Sequence, residues 1–180
     1  MIQRTRYLSP WRIDVTIRDG VDPIARLSRL VRAIAAALDA AGAPSPGSIG
    51  LILTDDAELA ELNRAHMGAE GPTDVLSFPL LPAEAFVGGG ATTAAPPAQP
   101  AFVSPPGRRL HLGDIAVSVE RAAGQAAAGR GGQTGDVRWS AADELRLLVI
   151  HGTLHVCGWD HAEPADEAAM RALEQRLLAG

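Results

Sequence analysis

The chain has 180 residues, 47% of them hydrophobic, and a formal net charge of −5, which suits one domain with a real core and excludes a charge-rich disordered chain. Its single cysteine, Cys157, excludes an intramolecular disulfide and a cysteine-built structural zinc site and fits a reducing, cytoplasmic setting. The acidic balance argues against nucleic-acid binding driven by overall charge.

The opening stretch, Met1 to Asp14, mixes Arg4, Arg6 and Arg12 with polar residues and lacks the apolar run of a signal peptide. No other segment is apolar for long enough to cross a bilayer, so a soluble protein is expected. Trp11, Ile13, Val15 and Ile17 alternate with polar residues, the period of a half-buried strand. After a turn at Gly20 to Pro23, Ile24, Leu27, Leu30, Val31, Ile34 and Leu38 form one helical stripe that stops before Gly42. Ile49, Leu51 and Leu53 make a second strand, and Asp55 with Glu58 has capping-box spacing for a helix running to about Asn63. Strands follow at Val75 to Pro79 and at Ile115, Val117 and Val119.

Between these last strands the chain is rich in proline, glycine and alanine, and residues 82–109 are expected to form a mobile surface insertion. A second glycine-rich loop is expected from Gly129 to Gly135. Ser140 and Asp143 have the spacing of a helix start, Leu145, Leu148, Val149, Thr153 and Val156 continue its apolar face, and Pro164 suits the first turn of a last helix. These elements predict an α/β (mixed α+β) domain without repeats, a small mixed β-sheet packed with several helices.

Charge is unevenly placed along this frame. All 16 basic residues are arginine, seven of them (Arg4, Arg6, Arg12, Arg18, Arg26, Arg29 and Arg32) in the first part of the chain. Arginine suits bidentate phosphate contacts, so a local phosphate-binding face is compatible with the acidic total.

The chemistry is concentrated in the run His151-Gly-Thr-Leu-His155-Val-Cys-Gly-Trp-Asp-His161, which holds three of the chain's five histidines. Residues four apart share a helix face, so His151 and His155 can aim at one point. Gly158 can take the left-handed conformation that ends a helix and turns the chain back, bringing His161 to the same point. Three neutral imidazoles leave a fourth tetrahedral position for water, which predicts one Zn2+ per chain in a catalytic, zincin-like three-histidine metal site. A protease of the H-E-x-x-H type needs glutamate after the first histidine, where this chain has Gly152.

The same run resembles the H-G-x-L-H-x-x-G-x-D-H signature of the YbeY family of metal-dependent endoribonucleases. Leu62-Asn63 followed by Pro72-Thr73-Asp74-Val75-Leu76-Ser77-Phe78-Pro79 is similar to the family's L-N and P-T-D-V-L-S-F-P block. Leu112-Gly113-Asp114-Ile115 is similar to its L-G-D-I block, and Glu167 to Met170 with Glu174 to its C-terminal helix. The resemblance implies an α/β fold, zinc held by His151, His155 and His161, and cleavage of single-stranded RNA at the 3′ end of small-subunit rRNA. The partners implied are single-stranded rRNA and the small ribosomal subunit, with neither membrane nor DNA. One departure stands out: the family's arginine within Y-R falls here at His66 and Met67, and Arg64, three residues before Met67, is the candidate substitute on the same helical face.

Asp74 and Asp114 are each candidates for acid, base or support of a histidine N–H, and each can equally cap a turn. Ser77 is expected to face solvent, Thr73 to sit in a turn, and Cys157 to be a small buried hydrophobe. Trp159 is expected to pack beside the metal loop, and His66 and His111 to be ordinary polar positions. Two alternatives to an endoribonuclease remain: a non-catalytic ribosome assembly factor with a structural metal, and a hydrolase acting on another ester or amide.

Overall fold

The computed structural model describes residues 1–86, 109–129 and 139–180. Five strands form one mixed sheet: β1 (Ile2–Leu8), β2 (Trp11–Ile17), β3 (Gly47–Thr54), β4 (Val75–Pro79) and β5 (Leu110–Ser118), in the spatial order β1-β2-β3-β5-β4. The central pairs β2–β3 and β3–β5 are parallel, and the outer pairs β1–β2 and β4–β5 antiparallel. Parallel neighbours need crossovers, and α1 (Leu27–Ala40) supplies the first of them.

One face of the sheet carries the main core. Ile13, Val15, Ile49, Leu51, Ile115 and Val117 pack there against Leu30, Ile34 and Leu38 of α1 and Leu145, Val149 and Ile150 of α4 (Ala141–Val156). The other face is thinner, with Leu76 and Ala116 covered by Leu59 of α2 (Asp56–Leu62). Successive strand residues therefore meet different partners and residues two apart the same ones, which decides where each polar side chain of β4 and β5 points.

Several expectations hold at the atomic level. The Asp55 side chain accepts the Glu58 N–H, Ser140 and Asp143 form a reciprocal capping box, and Pro164 opens α5 (Pro164–Ala179). Others are corrected. Strand β1 shows no alternation because all seven of its residues are exposed, so neither face had to be apolar. The strand expected to run to Val119 ends at Ser118, whose side chain caps α3 (Val119–Ala127). That helix escaped notice because only its Val119 and Ala122 are buried, too little apolar surface for a legible stripe.

The expected insertion, 82–109, is described only at its two ends. Ala83–Ala85 form a single 3-10 turn and Phe86, 5% exposed, joins the main core. The rest of that insertion, 87–108, lies outside the described residues, as does all of the second glycine-rich loop beyond Gly129.

Candidate metal centre

Helix α4 presents His151 and His155 one turn apart, and their Nε2 atoms meet at 3.0 Å. The helix then ends in a Schellman motif: the Trp159 N–H bonds to the Leu154 carbonyl at 3.1 Å and the Gly158 N–H to the His155 carbonyl at 3.0 Å. Gly158 has φ +79°, and a Cβ there would fall 2.7 Å from that of Ala83, so both conformation and space demand glycine. Past this turn the Asp160 side chain accepts the His161 N–H at 2.7 Å. His161 thereby returns to the helix end, and one ligand atom from each histidine falls within 4.8 Å of the others.

The donor set fits a metal ion such as zinc or another first-row cation that takes imidazole. His151 Nδ1 stands 2.8 Å from Oε1 of Glu174, a carboxylate only 5% exposed. A histidine that donates one ring N–H to a carboxylate is fixed in the tautomer whose other nitrogen is a free lone pair. The Glu174 contact thus leaves Nε2 of His151 to face His155. At His155, burial first and the neighbouring His151 and His161 second push the imidazole down to about 4, against a hydrogen bond to the Trp159 backbone and the charge of Asp160. Neutral imidazole is the ligand form, so His155 is ready at neutral pH.

Two predictions follow from these contacts. Glu174→Gln keeps the shape but removes the charge behind His151, and metal affinity is expected to fall about 10–100-fold, read by competition with a chromogenic chelator; unchanged affinity would refute the orienting role. The second concerns pH. Between the unfolded value near 6.5 and the folded value near 4 the unfolded chain takes up a proton that folded His155 refuses. Stability of the metal-free protein should therefore fall as pH drops through that window, and His155→Ala should flatten the trend in thermal melts.

Why this helix carries no glutamate after His151 is now clear. A Cβ at Gly152 would lie 2.8 Å from Val75 Cγ2 and 3.1 Å from Ile115 Cγ2, so the helix backbone rests directly on the sheet. Ser77, expected to face solvent, instead donates its hydroxyl to the Gly152 carbonyl at 3.0 Å. Helix and strand β4 are thus pinned together at the turn that bears the first histidine.

A cleft of about 470 Å³ opens beside the three histidines, bordered also by Met67, Thr73, Asp74, Ser77 and Pro79. Asp74 therefore borders the same cleft as the histidines. Its Oδ1 accepts the Val75 N–H at 2.9 Å and the Thr73 hydroxyl at 3.3 Å, and its Oδ2 accepts the Gln125 amide at 3.0 Å. A carboxylate has about four acceptor sites, so one remains for a proton or a substrate hydroxyl.

Asp114 is not brought there. It pairs with Phe78 across β4–β5 on the α2 face, sits over Gly50, and meets His111 Nε2 at 3.3 Å. The alternation of β5 explains the separation, because its neighbour Ile115 is the residue that faces Gly152. Arg64 is exposed on the π-helical turn Asn63–Met67 and does not border the cleft, whereas Met67 does. Asn63 closes that loop by donating to the Gly71 carbonyl at 2.9 Å, and the His66 ring meets Phe78 edge-on.

The remaining expectations are structural. Cys157 is fully buried, and burial pushes its thiol up to about 12, which makes it inert. Trp159 packs against the main core. The residue whose role sequence reasoning missed is Glu174. Its signal was present: it falls in register with Met170, Leu173 and Leu177, a charged residue on the apolar stripe of α5.

Residues 15–180 match the family model described as Endoribonuclease YbeY. A protein of that name from Salinispora tropica is 44% identical over 144 residues, 79% of this chain and 80% of its own. Another, from Moorella thermoacetica, is 40% identical over 154 residues, 86% of this chain and 85% of its own. The fold is similar to the solution structure of a Thermotoga maritima protein, 22% identical, with a TM-score of 0.52 over 93% of this chain and 86% of that one.

Proposed function

The chain belongs to the YbeY family, and from that premise we propose that it is a metal-dependent endoribonuclease that cleaves single-stranded RNA at the 3′ end of small-subunit rRNA. The observation that carries the proposal is the convergence of three imidazole nitrogens within 4.8 Å of one another at the edge of an open cleft. His151, His155 and His161 hold one divalent ion, zinc by the match of three imidazoles to its preferred ligands. When bound, such an ion supplies Lewis acidity toward a phosphoryl oxygen and lowers the pKa of water.

The chain's own groups do the rest. Glu174 orients His151 through Nδ1, and burial keeps His155 neutral. Asp74, which borders the cleft and has one acceptor site spare, is the candidate to take up a proton from the attacking group or return it to the leaving oxygen. The small ribosomal subunit is the partner that supplies the substrate, in the cytoplasm. No helix among the described residues is long and apolar enough to cross a membrane.

The test is direct. Zinc-loaded protein should cut a single-stranded RNA carrying the rRNA 3′ end, spare the same sequence as a duplex, lose activity on chelation and regain it with zinc. Intact single-stranded RNA after incubation with stoichiometrically loaded protein would overturn the enzymatic assignment. Met67 favours one alternative, an assembly factor that binds without cutting, because the cleft wall there offers a thioether where an arginine is expected. Co-sedimentation with small subunits that survives loss of a ligand, without cleavage by the loaded protein, is the result that distinguishes it.

A further inference from the structure

Away from the histidines, Arg26 stands at the N-cap of α1, and Arg29 and Arg32, three apart within the helix, share one side of it. Two cavities meet at this row. One, of about 550 Å³, runs between α1, α4 and α5 and is bordered by Arg29, Arg32, Arg146 and Arg176. The other, of about 410 Å³, is bordered by Arg26, Arg29 and Arg32. Because Arg29 and Arg32 border both, the two are parts of one groove with five guanidinium groups along it.

Five guanidinium groups stand here against three carboxylates, Asp143, Asp39 and the terminal carboxylate of Gly180. Asp143 stands 3.7 Å from Arg29, and Asp39 is engaged by the Trp11 indole N–H at 2.8 Å. No carboxylate among the described residues lies within ion-pair distance of Arg26, Arg32 or Arg176. Arg146 donates to the Leu177 and Leu178 carbonyls at 2.7 and 3.0 Å, which holds the end of α5 against α4 and fixes the far wall. Burial first and then the charge of Arg29 pull the Arg146 guanidinium below its ordinary value, with Asp143 opposing and Arg32 adding the smallest push. In a chain of net charge −5 this local concentration of cations is suited to an anionic partner.

We propose that this arginine groove is a second RNA-binding site, which grips the sugar-phosphate backbone of a single-stranded segment outside the cleaved region; this rests on the endoribonuclease assignment above. Arginine forks match phosphate oxygens two at a time. The groove's one aromatic residue, Trp11, is 2% exposed and already hydrogen-bonded, so no stacking face reads the bases. Recognition here is by backbone charge and independent of sequence. The groove and the metal centre draw on the same two helices at different faces: Arg146 lies on α4 with His151, and Arg176 on α5 with Glu174.

Binding of a fluorescent single-stranded RNA to the zinc-loaded protein, measured over a series of salt concentrations and with cleavage followed in parallel, tests the proposal. Arg29→Gln/Arg32→Gln should weaken binding about tenfold at low salt and flatten the log–log salt slope by about 1.4, at about 0.7 per phosphate contact on a single strand. Arg176→Gln alone should flatten it by about 0.7, which keeps the test valid if the double variant folds poorly. Arg4→Gln/Arg6→Gln, on the exposed strand β1, should change neither. Unchanged affinity and slope in the groove variants, or an equal loss in the β1 control, overturns the site. So does loss of binding to a polyglutamate peptide without loss of RNA binding, which would assign the groove to an acidic protein. Failure of the endoribonuclease assignment shows differently, as wild-type protein that does not cleave whatever the groove variants do.

Discussion

His155→Ala is expected to leave the protein without stoichiometric metal and to reduce RNA cleavage below detection. His155 is the member of the trio closest to both others, with ring centroids 4.5 Å from His151 and 5.0 Å from His161. His151 and His161 are 5.7 Å apart and near-parallel, so without His155 the remaining pair is open rather than convergent. Removing an imidazole deletes a whole ligand, whereas Glu174→Gln only loosens the orientation of one; the former should cost far more than the 10–100-fold assigned to the latter. Metal content by mass spectrometry and thermal melts with and without zinc separate this from unfolding. Wild-type protein should gain thermal stability on adding zinc, since a ligand that binds only the folded state stabilises by mass action, and the variant should not. A variant that keeps a full complement of metal would place the ion elsewhere in the chain.

The histidine run was legible because helix geometry is local. Spacing by four sets His151 and His155, and a glycine at the helix end sets the turn that returns His161, so three residues of one short segment declare the site without help from the fold. Glu174 and Asp74 belong to other elements, and nothing local says which face of the sheet or which neighbouring helix they meet. Asp74 and Asp114 look alike in sequence, each beside or within a strand, yet the pairing of β4 with β5 puts Asp114 on the α2 face and leaves Asp74 at the cleft. The position of Arg64 was not legible for a similar reason. A π-helical turn follows α2, so the spacing of an α-helix does not place Arg64 and Met67 on one side. Elements with one buried face were read correctly; β1, exposed on both faces, and α3, with little buried apolar surface, were not.

Gly152→Glu, which would complete an H-E-x-x-H sequence, is expected to break the fold rather than create a protease. The magnitudes are opposed at this site. Replacing glycine by alanine inside a helix gains about 1 kcal/mol of propensity. Forcing a methyl group into a filled core costs about 1–3 kcal/mol, and here the Cβ would lie 2.8 Å from the stiff Val75 side chain and 3.1 Å from Ile115. Gly152→Ala should therefore range from neutral to about 2 kcal/mol less stable. Glutamate adds four more heavy atoms beyond the β-carbon, ending in a carboxylate, at a position buried against the sheet. That raises the expected loss to about 4 kcal/mol or more, a fall in Tm of about 8–16 °C for a chain of this size. Thermal melts of the two variants check the order. A Gly152→Glu protein as stable as the wild type would mean that α4 can lift from β4, and with it that the Ser77 contact does not fix the helix bearing the metal ligands.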